Sequence, residues 1–143
     1  MTPVLLGAIT GFGAGAVMLF LAHVAPKIGA GSFVRDTDEL RVFGRMYTKR
    51  EGHLIGVLLH LMLSFVFGGC YAIAVSQGVF AGYHAGPLAL YAILLTLFMG
   101  GVVMPIEGHG LFGLKEDSWF PVDLAFTNIL WAAIFGVMMG TWG

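Results

Sequence analysis

The residues best suited to chemistry lie at the end of the third apolar run, within the segment Met104–Phe112. Glu107 stands two residues before His109, and no other acid lies within that segment. Carboxylates and imidazoles bind divalent metals, and imidazoles exchange protons near neutral pH. With His53, at the start of the second apolar run, these residues form a candidate metal site. No Glu-x-x-His motif of the di-iron bundle type accompanies them, so the metal interpretation rests on these three residues alone.

Histidines near the same end of the other apolar runs suggest a second kind of site. His23 lies near the end of the first run, and the second run contains His53 and His60. Two imidazoles on facing helices can hold a b-type haem, and a single imidazole can hold a chlorophyll-like pigment. His60 lies seven residues beyond His53, about 10 Å deeper on the same helical face. All three histidines are therefore candidate cofactor ligands.

Two polar side chains, His60 and Asn128, interrupt the apolar runs well inside their ends. Polar side chains within a membrane are costly and usually face the bundle interior or water. One interpretation is a proton or small-solute path that uses both residues. The other is a hydrogen bond from His60 across the bundle, to Asn128 or Ser64. We expect His60 and Asn128 to be interior partners.

Several classes of function are excluded by what the sequence lacks. No nucleophile triad, phosphate loop or nucleic-acid-binding surface is visible. Gly11-x-Gly13-x-Gly15 lies inside an apolar run with no strand before it, which does not fit a dinucleotide-binding motif. Cys70 is the only cysteine, so an internal disulfide and a multi-cysteine metal site are excluded. The sequence favours a protein that is not an enzyme, without deciding the question.

The elements that must position these residues are four long apolar runs. The chain of 143 residues is 58% hydrophobic and only 10% charged, and its mean hydropathy is +0.89. Soluble domains are roughly 45–50% apolar and about 25% charged. Crossing a hydrocarbon core requires about 20 apolar residues in a helix. We therefore predict an all-α integral membrane protein, a four-helix bundle forming one membrane domain over residues 1–143. The predicted spans are about 4–24, 54–75, 88–104 and 122–139.

The basic residues predict how such a bundle is oriented. All seven Lys and Arg residues lie in the two long connections, residues 27–52 and 105–121. With four spans these connections share one side of the membrane, and the positive-inside rule places that side in the cytoplasm. Both termini are then expected outside.

Small residues at helical spacing predict close helix contacts in the outer runs. Gly7, Gly11 and Gly15 recur every four residues in the first run. The fourth run repeats the spacing with Ala132, Gly136 and Gly140. Such faces allow another backbone to approach closely, within the chain or on another subunit.

The first long connection contains its own pattern. Arg41, Arg45 and Lys49 recur every four residues, opposite an apolar set of Leu40, Phe43 and Tyr47. This pattern predicts an amphipathic helix at the membrane surface, with its cations toward anionic lipid headgroups. A solvated charged loop is the alternative.

The chain also contains a possible internal repeat. Pro26–Phe33 and Pro105–Phe112 both fit Pro-x-x-Gly-x-Gly-x-Phe and lie 79 residues apart. His60 and Asn128 then fall at matching depth in the second helix of each half. The pattern predicts two duplicated helical hairpins, a parallel repeat related by an axis along the membrane normal.

These features lead to one expectation about function and two alternatives. We expect an accessory or scaffolding subunit of a larger membrane assembly, or a homo-oligomer, because the small-residue faces suit partners and the interior lacks a clear reactive set. The first alternative is a haem- or pigment-binding electron-transfer subunit. The second is a small-solute or proton transporter.

Overall fold

The computed structural model describes residues 1–24, 27, 41–42, 45–46 and 49–142, with side chains for residues 1–24, 27 and 53–141. Four long helices make up most of this part of the chain. Helix α1 spans Pro3–Val24, α2 spans Lys49–Ser76, α3 spans Ala85–Ile106 and α4 spans Phe120–Trp142. Each is long and apolar enough to cross a membrane, which confirms the four predicted helices.

The helices begin slightly earlier than the sequence predicted, because prolines occupy their first turns. Pro3 is the first residue of α1, Pro121 is the second residue of α4, and Pro87 is the third residue of α3. A proline in the first turn removes an N–H that has no acceptor within the helix, so it fits there at little cost. The apolar runs therefore underestimate the length of these helices by a few residues at their N-terminal ends.

Helix α3 is not regular throughout its length. Its α-helical part, Ala85–Phe98, continues through a π-helical turn at Met99–Val103 and ends with Met104–Ile106. A 3-10 turn at Leu111–Gly113 follows in the connection to α4. π turns occur mostly as single interruptions of α-helices and are frequent at functional sites.

The bundle is built from contacts of α1 with α2, of α3 with α4 and of α1 with α4. Aromatic side chains fill the space between the pairs, with Tyr71 of α2 at the centre of the cluster. Its ring stacks on Phe80 at 5.0 Å and meets Tyr91 and Phe135 edge-on at 4.9 and 5.6 Å. Trp131 stacks in turn on Phe135 at 5.2 Å. Such pairs contribute about 0.5–1.5 kcal/mol each beyond burial.

The predicted amphipathic helix in the first connection is wrong for the residues described there. Arg41–Val42 and Arg45–Met46 form a two-residue antiparallel pair, β1 with β2. The sequence gives a reason, since β-branched Val42 and the intervening Gly44 both disfavour a helix. The side chains of Arg41, Arg45 and Lys49 lie outside the described set, and so does their predicted contact with lipid headgroups.

Candidate functional site

The strongest candidate site is the connection between α3 and α4, which folds around His109. The chain leaves α3 through Gly108 and Gly110, whose φ angles of 88° and 75° suit glycine. The backbone N–H of His109 donates to the carbonyl of Met104 at 2.9 Å, and its carbonyl accepts from Lys115 at 3.2 Å. These two bonds fix the histidine backbone against the end of α3.

The imidazole of His109 lies between two carboxylates. It is 5% exposed, its Nδ1 lies 2.9 Å from Oε1 of Glu116, and its Nε2 lies 4.0 Å from Oε2 of Glu107. The short contact has hydrogen-bond length, so Nδ1–H donates to the Glu116 carboxylate. Nε2 lies on the side of Glu107, at a distance that is longer than a hydrogen bond.

Burial raises the pKa of Glu107, and the neighbouring His109 partly opposes that rise. Desolvation penalises the ionised carboxylate, whereas an imidazolium close by favours it. Glu107, His109 and Glu116 therefore form one cluster, joined by a hydrogen bond between His109 and Glu116 and by a longer ion-pair contact between His109 and Glu107. Perturbed carboxyl groups beside a histidine are common at functional sites, and structural ion-pair networks show them as well.

The metal interpretation gains no support from the geometry. Among the residues that the structure describes, no group of three or more His, Cys, Asp or Glu side chains is placed to hold a metal ion. His53 is an exposed residue near the start of α2. The sequence analysis identified Glu107 and His109 but missed Glu116. Glu116 lies seven residues after His109, and this spacing does not indicate that the loop folds back to bring the two side chains together.

The side chain of Phe112 packs against the π turn of α3. Phe112 is the only non-glycine residue with positive φ in the described part of the chain, at 53°. Its ring lies directly against Gly100, where an added Cβ would meet the ring atoms. A residue in this backbone region typically costs about 1–3 kcal/mol, and such strain concentrates at sites that the surrounding structure holds rigidly.

The glycine face of α1 lies against α2. A Cβ added to Gly11 would lie 2.8 Å from Cα of Gly68, and one added to Gly7 would lie 2.8 Å from the carbonyl oxygen of Gly68. At Gly15 the added atom would lie 2.7 Å from Cβ of Ser64. The two backbones are therefore in contact, while the helix-packing role of these glycines stays a prediction that substitution can test.

The matching face on α2 was missed, although the sequence contains its signal. Ser64, Gly68 and Ala72 are small residues spaced by four, the same pattern that drew attention to α1. All three are buried. Two small-residue faces in one hairpin are a direct indication that they pack on each other.

The small residues of α4 lie in three different environments. Ala132 is 2% exposed and belongs to the aromatic core. Gly136 lies against the side chain of Leu88, and Gly140 is exposed with no atom within 4 Å of an added Cβ. These three residues therefore do not act as one contact face inside the chain.

The predicted pairing of His60 with Asn128 is not what the structure shows. Nδ2 of Asn128 donates to Oγ1 of Thr96 at 3.1 Å, and that hydroxyl donates to the carbonyl of Ala92 at 2.8 Å. His60 instead lies beside Gly15, and its buried Nε2 has no hydrogen-bond partner among the described residues. The two side chains belong to different helix pairs.

The depth argument failed because the apparent repeat misaligned the two helices. Tyr71 of α2 contacts Phe135 of α4, and both helices run in the same direction. Counting back seven residues from each places Asn128 near the level of Ser64. This is one turn, or about 6 Å, away from the level of His60.

His60 lies at a different depth from His23 and His53, the other two histidines considered as cofactor ligands. His23 and His53 are exposed, whereas His60 is partly buried in the α1–α2 contact. Because His60 lies beside Gly15, His23 is eight residues, or about 12 Å, further along α1. Two axial ligands of one haem cannot lie so far apart along the bundle axis, so His23 and His60 do not form such a pair.

Comparison of the chain with protein-family models, with curated proteins and with solved structures finds no match of any of the three kinds.

Proposed function

We propose that the protein is a multi-pass membrane protein that serves as an accessory or scaffolding subunit of a larger membrane assembly or homo-oligomer. The observation that carries this proposal is the closed interior. Backbones touch at Gly11 and Gly68, and stacked rings around Tyr71 fill the space between the helix pairs. A bundle packed in this way offers rigid outer faces rather than an internal binding cleft.

Open small residues on the outside of the bundle support the partner role. Gly86 and Gly101 on α3 and Gly140 on α4 are exposed, and an added Cβ at each would meet nothing within 4 Å. Glycine on an outer helical face allows a neighbouring transmembrane helix to approach closely. The three residues are thus the places where we expect another subunit to pack.

The finer arrangement belongs to the same proposal. The basic residues favour cytoplasmic connections and outside termini. An origin by duplication would require two hairpins, and α1 packs on α2 as α3 packs on α4. The mismatch of one helical turn between His60 and Asn128 counts against it. The segment Pro26–Phe33, one arm of the sequence repeat, lies outside the described residues apart from Lys27.

The experiment is a comparison of particle mass among outer-face variants, extracted with a polymer that retains the native lipids. Gly101→Leu and Gly140→Leu should reduce the mass of the particle and leave the thermal stability of the chain unchanged, because an added Cβ at either position meets no atom of the described residues within 4 Å. Ile93→Leu, on α3, is the matched control, since Ile93 is 54% exposed and already carries a bulky apolar side chain, and it should leave the particle mass unchanged. Unchanged particle mass in both test variants would mean that these faces contact lipid, and would contradict the proposal.

A further inference from the structure

Three apolar side chains of the connection between α3 and α4 face outward. Leu111 is 58% exposed, Leu114 is 55% exposed and Trp119 is 67% exposed. His109, by contrast, is buried, although Glu116 beside it is exposed. A solvated loop shows the opposite pattern, and exposed apolar patches mark surfaces that bind a protein or a membrane.

The backbone that carries the three apolar side chains is held by hydrogen bonds. The N–H of Leu114 donates to the carbonyl of Leu111 at 3.1 Å, and the N–H of Trp119 donates to Oδ1 of Asp117 at 3.0 Å. Between them the N–H of Glu116 donates to the carbonyl of Gly113 at 2.9 Å. A surface that is already ordered loses little conformational entropy when it is covered.

The position of the connection indicates what covers this surface. It begins directly after Ile106 and ends at Phe120, the limits of two helices that are long enough to cross a membrane. Tryptophan favours the boundary between headgroups and hydrocarbon, where its ring is buried and its N–H stays polar. Lys115 is exposed beside the same residues, and a lysine there can extend its ammonium group to lipid phosphates.

The turn at the other end of the bundle is a useful comparison. Between α2 and α3, Val79 is the one large apolar side chain that is exposed among the described residues of that turn, and Phe80 is 9% exposed. The apolar set is therefore a feature of one end of the bundle rather than of its connections in general.

We propose that Leu111, Leu114 and Trp119 insert into the interfacial layer of the bilayer and anchor this end of the bundle to lipid. This inference rests on the membrane placement proposed above. The anchored surface fixes the depth of the connection, and with it the depth of the buried His109 cluster at the membrane boundary.

The test is tryptophan quenching in phosphatidylcholine vesicles that contain no other protein. A variant with Trp131→Phe and Trp142→Phe leaves Trp119 as the sole emitter, and a variant that retains only Trp131, which is 5% exposed, is the matched control. We expect blue-shifted emission from Trp119, loss of most of its intensity with lipids brominated near the headgroup, and little quenching by aqueous iodide. Trp131 should respond weakly to both quenchers.

Two results would overturn the inference. Strong iodide quenching of Trp119 with little effect of brominated lipid would mean that the surface faces water. Trp119 could instead be protected from both quenchers at high protein density and lose that protection when each vesicle holds a single chain. This result would mean that a second copy covers the surface. Alkaline carbonate tests the membrane placement separately. A bundle that spans the membrane stays in the vesicles, whereas release of the protein would mean that the membrane placement itself is wrong.

Discussion

At the scale of single residues, the sequence identified the right side chains more often than their partners. Glu107 and His109 were singled out from their spacing, and the structure places them 4.0 Å apart, beside Glu116. Asn128 was recognised as an interior polar residue, yet its partner is Thr96. Partners across a bundle depend on helix rotation and relative height, which one helix does not encode by itself.

The first prediction concerns the pH dependence that Glu107 introduces. Its pKa is raised in the folded protein, so it stabilises the fold at pH below the ordinary glutamate pKa of about 4.3, and that stabilisation is lost as the pH rises through the folded-state pKa. Glu107→Gln should remove this fall from a profile of thermal stability against pH measured in detergent. Glu116→Gln, which leaves Glu107 in place, should retain it. Superimposable slopes for the wild type and Glu107→Gln would show that the burial of Glu107 has no energetic effect.

The second prediction concerns the hydrogen bond of Asn128. A double-mutant cycle of Asn128→Leu with Thr96→Val should give a coupling energy of about 0.6 kcal/mol, within the range found for polar contacts between membrane helices. The control cycle pairs Asn128→Leu with His60→Leu and should be additive, because no contact joins the two side chains. A coupling energy in the control cycle and none in the test cycle would mean that Asn128 interacts with His60 rather than with Thr96.

At the scale of helices, apolar length was sufficient to predict the four long elements, although not their first residues. The interruption of α3 was not predictable from pattern, because the π turn at Met99–Val103 is accompanied by the ring of Phe112, which returns from a later part of the chain. The two-residue strands likewise replaced a helix that the charge spacing favoured. Periodicity predicts where a helix is possible, whereas contacts with distant residues decide its local form.

The third prediction compares two glycines of the same helix. Gly11→Ala places a Cβ against the backbone of Gly68, which has no side chain to move aside, so we expect a loss of about 1–3 kcal/mol in stability. Gly13→Ala meets only the terminal methyl of Met138, which can rotate away, and should change stability little. Thermal unfolding of both variants in the same detergent measures the difference. Equal effects of the two substitutions would mean that α1 and α2 do not touch at Gly11.

At the scale of the whole molecule, the described residues form a closed bundle with a folded connection at one end. The aromatic core around Tyr71 and the backbone contact of α1 with α2 fill the interior, while the His109 cluster and the exposed set near Trp119 occupy the connection between α3 and α4. Composition alone was enough to predict four helices that are long and apolar enough to cross a membrane. The proposed lipid contact of the connection required knowing which side chains of the loop face outward.

The fourth prediction concerns orientation. A reporter that is active only outside the cytoplasm should be active when fused after Gly143 and inactive when inserted between Arg35 and Arg50. The physical reason is the concentration of all basic residues in the two long connections. Activity at both positions would place the two reporters on the same side, with an even number of spans between the inserted reporter and the C-terminus, and would contradict the predicted topology.

The most direct test of the central proposal is the mass of the particle that carries the wild-type chain, extracted from its own membrane together with the native lipids. The account predicts a protein mass well above the 15.3 kDa of one chain, in a particle with no absorption band in the visible range. Single chains that persist over a wide range of protein concentration would contradict a scaffolding or accessory role, above all if they show a haem or pigment band or conduct protons in vesicles.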